Sequence, residues 1–175
     1  MTAHIPSSSK PTPDAFRDAL GRFATGITVV TTLDNGGANY GVTATSFASL
    51  SLDPPLVQWS LRNAAFSLPI FLNSGRFAVN ILSADQEEVS QRFATPDIDR
   101  FEATSIKRGL GSMPLIKGAA AWIECELENT LAGGDHTILV GRVLRVRTFE
   151  TTPLLHWRGK YLPVSSAQIS RDTAK

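Results

Sequence analysis

Ile27-Thr28-Val29-Val30-Thr31-Thr32 is β-branched at every position and runs into Asp34-Asn35-Gly36-Gly37. β-Branched side chains fit a pleated strand better than a helix. Asn-Gly behind such a run is a strong hairpin signal, because both residues accept positive φ. The pattern predicts a strand over 27–32, a turn at 34–37 and a return through 40–50. Upstream, Thr12-Pro13-Asp14 places an N-cap hydroxyl, a proline and an acid in the order a helix start favours. Phe16, Ala19, Leu20, Phe23 and Ala24 then recur at helical spacing. They predict one apolar face, with Gly26 as the stop. Residues 1–11 are rich in Ser and Pro and read as a flexible tail. Residues 12–165 read as a single domain, and 166–175 as a C-terminal tail.

Downstream, Pro54-Pro55 breaks the chain before a strand over 56–61. A short helix is expected within 63–74, around Pro69 and closed by Gly75. A strand follows at 77–82. Ser83 and Gln86 have capping-box spacing, so a helix should run through Phe93. Residues 94–120 show turn signals and little periodicity, as a long ordered excursion would. Ile123, Cys125 and Leu127 alternate with Glu124, Glu126 and Glu128, which predicts a half-buried strand with its acids outward. Ala132-Gly133-Gly134-Asp135 turns into a last long strand, 136–147, carrying Arg142, Arg145 and Arg147. Acids and arginines on adjoining strands would pair across the hairpin. Many short strands, few helices and no βαβ alternation predict a mainly β fold, an antiparallel barrel with peripheral helices.

Composition narrows the chemistry. The chain has 175 residues, a formal net charge of +1, one cysteine and three histidines. One cysteine excludes an intrachain disulfide, and the scattered His and Cys residues carry no metal-site spacing. No apolar run approaches the ~18 residues of a membrane-spanning helix. The first residues lack the apolar core of a secretory signal. Near-neutral charge speaks against nucleic acid as the main partner. A cytoplasmic protein with no membrane, metal or nucleic-acid role is expected. Gly109-Leu110-Gly111-Ser112-Met113-Pro114 is the nearest approach to a dinucleotide fingerprint, but it ends in Pro and follows no clear strand.

Three stretches could carry chemistry. Thr43, Thr45, Ser46 and Ser49 put four hydroxyls in seven positions, suited to the polar edge of a flat ligand. Threonine is equally a good strand former. Arg62-Asn63-Ala64-Ala65-Phe66-Ser67 leaves a strand for a helix start, where amides, Arg62 and Ser67 could hold a phosphate. Simple capping explains the same residues. Gly133-Gly134-Asp135-His136 allows close ligand approach and presents an imidazole, but it is also ordinary turn chemistry. Cys125 falls on the apolar parity of its strand and reads as a buried, inert thiol.

Taken in order, Phe16-Arg17 through Thr32, Gly41 through Leu56, Ser74 through Leu82, Arg92-Phe93-Ala94 and Gly134-Asp135-His136-Thr137 form five blocks. Together, over residues 14 to 163, they resemble the short-chain flavin reductase family, the reductase component of two-component flavin-dependent monooxygenases. The resemblance implies a flavin-binding split β-barrel, usually a homodimer. It implies an NAD(P)H:flavin oxidoreductase that passes hydride from NADH or NADPH to FMN or FAD and supplies a separate monooxygenase. By position, Thr43, Ala44, Thr45 and Ser46 match the flavin-contacting strand, and Trp59, Ser60 and Leu61 the next one. Ser67 matches the end of the phosphate segment, where backbone amides and Arg62 are expected to share the load, and Arg92 and Phe93 match the helix end beside the flavin. Gly134 and His136 match the motif near the reacting rings, with His136 as the catalytic candidate, and Tyr161 the aromatic after the last strand. Ala64-Ala65 departs from the family, which often carries a further hydroxyl there. The alternatives are an FMN-binding electron-transfer or flavin-carrier protein without nicotinamide oxidase activity, and a dimeric barrel that has lost its ligand.

Overall fold

The computed structural model describes residues 10–162. The tail expected over 1–11 lies outside them except for Lys10 and Pro11, and the tail expected over 166–175 lies outside entirely. The described elements are three helices, α1 (Pro13–Gly21), α2 (Leu68–Ser74) and α3 (Glu87–Ala94), and twelve strands. The strands are β1 (Thr25–Gly26), β2 (Thr28–Leu33), β3 (Asn39–Ala44), β4 (Ala48–Leu52), β5 (Pro55–Arg62), β6 (Arg76–Ile81), β7 (Ile106–Arg108), β8 (Pro114–Ile116), β9 (Ala121–Gly133), β10 (His136–Thr148), β11 (Leu155–Trp157) and β12 (Lys160–Leu162). Seven strands form one antiparallel sheet in the order β3-β2-β6-β9-β10-β5-β4. Its two edges do not pair, so the barrel is split. Small sheets β1-β11-β12 and β7-β8 stand beside it.

The opening strand, β2, lies second from one edge of the sheet and is buried on both faces. Val30 enters the barrel core with Trp59, Phe71, Phe77, Val79 and Leu139, while Val29 joins Ile27, Leu82, Phe93, Ile116 and Leu154 on the other side. Both faces are therefore dry, and its threonines need partners. Thr28 Oγ1 donates to Ala44 O, Thr31 Oγ1 to Pro114 O and Thr32 Oγ1 to Arg76 O. Asn80 ties the same region together, donating to Val29 O at 2.9 Å and accepting from Ile116 N at 2.8 Å.

Several boundaries differ from expectation. The Thr12 side chain caps α1 by accepting from Ala15 N, but the helix ends at Gly21, and Gly26 instead pairs with Leu155 in the small sheet. The return expected through 40–50 is two strands: β3 pairs with β2, whereas β4 pairs with β5. The second helix starts at Leu68, with Gly75 at φ 64° as its left-handed cap. Gln86 accepts from Ser83 N as a capping box requires, but α3 begins only at Glu87. The 94–120 excursion holds the β7–β8 hairpin.

Two burial expectations also fail. The apolar face of α1 stays largely exposed among the described residues: Phe16 is 54% exposed, Leu20 57% and Phe23 75%. Glu124 was expected outward but is buried, held by Arg145 Nε and by Leu110 N. This explains the failed dinucleotide fingerprint. A Cβ on Gly109 would collide with Glu124 Oε1, and Gly111 adopts φ 56°. These glycines let the backbone reach a buried carboxylate. Arg142 and Glu128 form the expected cross-strand pair.

Cys125 is buried, and desolvation, with a smaller contribution from the Glu124 charge, pushes its thiol up to about 12. On the order of a thousandfold less thiolate forms than in the unfolded chain, so disulfide reagents at pH 8 should label native protein far more slowly than denatured protein. Equal rates would contradict this burial. The folded pKa is the raised one, so its contribution is fully present below about 8.5, the ordinary thiol value, and is lost as pH rises towards about 12.

Candidate functional site

The open edge of the barrel carries a continuous two-lobed cleft. The inner lobe, about 730 Å³, lies between the end of β3, the Thr45–Ser46 crossing, the end of β5 and the Gly133–His136 turn. The outer lobe, about 690 Å³, is lined by Tyr40, the 62–67 segment and the 96–101 loop. Val42, Arg62, Ala65 and Ala94 line both lobes. Such volumes suit a cofactor-sized ligand.

The hydroxyl-rich strand divides its labour. Thr43 Oγ1 donates to Ser90 O at 2.6 Å, and the Ser90 hydroxyl in turn meets Tyr161 Oη at 3.1 Å. Ser46 Oγ accepts from Ser60 N at 2.9 Å and donates to Ser60 O at 3.2 Å, pinning the crossing chain to β5. These two hydroxyls and Ser60's backbone are therefore occupied by architecture. Thr45 is exposed in the inner lobe, and its hydroxyl has no partner among the described residues. Ala44 is buried against the core.

On β5, alternation sends Val57, Trp59 and Leu61 into the barrel. Trp59 and Leu61 border the inner lobe, but the Trp59 ring packs edge-on against Phe71 at 4.9 Å and Phe77 at 5.9 Å. Its Nε1 is buried without a partner among the described residues. Arg62, at the strand's exposed end, stands where the lobes join. The amides of Ala64, Phe66 and Ser67 find no acceptor among the described residues, and neither does the Ser67 hydroxyl find a capping partner. Arg62, these amides and Ser67 make a donor set for an anion.

His136 opens β10 opposite both Arg62 and Gly133. Its Nδ1 lies 2.8 Å from Asp135 Oδ1. That hydrogen bond, then the imidazole's charge, holds the Asp135 carboxyl below its ordinary range, with Arg62 adding a smaller pull. With Nδ1–H given to the carboxylate, Nε2 is the ring nitrogen left for a ligand. The turn is fixed by Asn63. Its Nδ2 donates to Gly134 O at 3.1 Å, its backbone N to Asp135 O at 2.9 Å, and its Oδ1 accepts from Thr137 Oγ1 at 2.8 Å.

Four expected contacts are not brought to the cleft by this chain. Gly133 lines it rather than Gly134, which at φ 72° makes the turn. Phe93 is completely buried, its ring filling the space that a Cβ on Gly41 would need. Arg92 lines neither lobe, whereas Ala94, two residues on, lines both. Tyr161 packs behind Thr43 through Ser90, in the second core. The sequence reading missed Asn63 and Arg100. Arg100 Nη1 donates to Gly41 O at 2.7 Å, and its Nε and Nη2 hold Thr95 O, so it ties the 95–100 loop to β3. Neither sits in a periodic pattern that would single it out.

The arrangement can grip a flat polar body in the inner lobe and an anionic arm at 62–67. Comparison with known proteins points the same way. The family model described as "Flavin reductase like domain" matches residues 20–165. A "Probable flavin reductase" of Rhizobium meliloti is 43% identical over 149 residues, 85% of this chain and 48% of that protein. The reductase component of a flavin-dependent trigonelline monooxygenase from Acinetobacter baylyi is 41% identical over 145 residues, 83% of this chain and 47% of that protein. The chain thus spans about half the length of these two relatives. The solved structure of the Streptomyces globisporus NADH:FAD oxidoreductase SgcE6, in complex with NAD and FAD fragments, superposes with a TM-score of 0.85. It is 33% identical, and the match covers 91% of this chain and 98% of that one.

Proposed function

Because the chain belongs to the flavin reductase-like domain family, we propose that it reduces FMN or FAD with NADH or NADPH and supplies the reduced flavin to a separate monooxygenase. The observation that carries this reading is the continuous cleft in which Thr45, the Arg62–Ser67 arm and His136 meet. A bound flavin would supply the redox chemistry, accepting hydride from a reduced nicotinamide. The chain's own work is positioning. Arg62, Ser67 and the amides of Ala64, Phe66 and Ser67 hold a phosphate. The Ala64-Ala65 departure removes a hydroxyl and leaves that load on amides and cation. Thr45 offers a donor and acceptor to a polar ring edge. His136 Nε2 hydrogen-bonds ligand at the inner lobe, and Asp135 and Asn63 keep the imidazole oriented. Holding two reactants aligned supplies much of the rate in such a reaction.

Residues 12–165 act as one catalytic domain in this reading, and the protein works in the cytoplasm; among the described residues no helix is long and apolar enough to cross a membrane. A homodimer completes it. The uncovered Phe16, Leu20 and Phe23 face supports burial against a second copy. The deciding test is a matrix of NADH or NADPH oxidation with and without added FMN or FAD. Flavin-dependent oxidation is expected. A yellow protein that keeps its flavin through gel filtration and ignores both nicotinamides would instead establish the flavin-carrier alternative.

A further inference from the structure

A second cavity, about 460 Å³, lies away from the cleft and shares no lining residue with it. The β7–β8 hairpin brings Lys107 to its rim, and Lys117 follows β8, fixed by its amide to Ser105 O. Arg147, opposite Trp122 in the β9–β10 ladder, supplies a third cation. The walls are apolar: Trp122 and Phe149 meet edge-on at 4.7 Å, above Ala119. Trp122 Nε1 is already spent on Ile116 O at 2.7 Å, so the indole offers only its hydrocarbon surface. The Arg147 guanidinium lies 5.4 Å from the Phe149 ring centroid.

No carboxylate lines this cavity, and none of its three cations forms an ion pair with a described residue. Three like charges around a shared apolar hollow repel one another, and an anion seated among them relieves that repulsion. A fully hydrated inorganic anion would gain nothing from the aromatic walls. We propose that this cavity is a binding site for a small aromatic carboxylate, its ring against Trp122 and Phe149 and its carboxylate among Lys107, Lys117 and Arg147. The site stands independently of how the main cleft is read.

The test is isothermal titration of the intact protein with benzoate, with benzyl alcohol as the neutral isostere and acetate as the ringless anion. Benzoate should bind saturably, with Kd of about 0.1–10 mM as expected for so small a ligand. Benzyl alcohol and acetate should each bind at least tenfold more weakly. The double variant Lys117→Gln/Arg147→Gln should weaken benzoate at least tenfold while its thermal midpoint and its flavin titration stay as in the parent. Added salt should weaken benzoate as well. Absence of saturable benzoate binding, equal binding of benzyl alcohol, or unchanged benzoate affinity in the folded double variant would each overturn the proposal.

Discussion

His136→Ala is expected to lower turnover at saturating flavin and nicotinamide by about tenfold or more, the scale of losing one well-placed donor or acceptor at a reacting site. Flavin affinity should fall much less, by less than about threefold, because the 62–67 donor set is untouched. The imidazole is 37% exposed, so part of its electrostatic effect is screened, and the expected loss sits at the low end of what a buried group would cause. Two further variants locate the effect. Asp135→Asn keeps an oxygen at Oδ1 able to accept from Nδ1–H and should cost less than removing the ring. Asn63→Ala releases the two side-chain hydrogen bonds that hold the 134–137 turn, keeps the backbone bond to Asp135 O, and should lower turnover in the same direction without removing the imidazole. Unchanged steady-state kinetics in His136→Ala would take His136 out of the site.

Trp59 should give the largest loss of stability. Its ring is fully buried between Phe71 and Phe77, so Trp59→Ala removes a large hydrocarbon surface and leaves a cavity that the barrel cannot close. A cost of about 3–5 kcal/mol is expected. For a chain of this size that corresponds to a thermal midpoint lower by roughly 6–20 °C. Trp59→Phe should behave differently. It creates a smaller void and also removes an indole N–H that is buried without a partner, and such a group costs about 1–3 kcal/mol to bury unpaired. The two terms oppose, and a loss below about 2 kcal/mol is expected. Both variants lose the indole N–H, so the difference between them in denaturant unfolding reads the size of the void. A Trp59→Phe loss well above about 2 kcal/mol would show that the indole N–H is not a burden. Flavin affinity should survive Trp59→Phe, since the ring faces the core rather than the cleft.

The same residue shows why the candidate site was only partly legible. Alternation along β5 was readable, and it places Trp59 inward with Val57 and Leu61. Which of those residues also borders a cleft depends on where β3 and the 133–136 turn lie, and both are distant in sequence. The hydroxyls at 43–46 were visible as a group. Their division into structural and available ones was not, because it depends on Ser90 and Ser60 as acceptors. Phe93 matched a ligand-contact pattern by position, yet a glycine on β3 draws its ring into the interior.

Local chemistry was enough for the elements themselves. β-Branching at 27–32, the Asp-Asn-Gly-Gly turn, the Thr12 cap and Gly75 act through φ, ψ and hydrogen bonds within a few residues, so the chain alone determines them. The five ordered blocks determined the family for the same reason that they can be read in one dimension. Tertiary structure decided what no short window contains. It split the 40–50 return between two sheet edges, buried Glu124 beneath Arg145 and Leu110, and left the apolar face of α1 uncovered. Each outcome depends on desolvation and partner supply from residues far along the chain. A carboxylate is stable inside only where a distant arginine and an amide reach it, and an apolar stripe is buried only where another surface arrives to cover it.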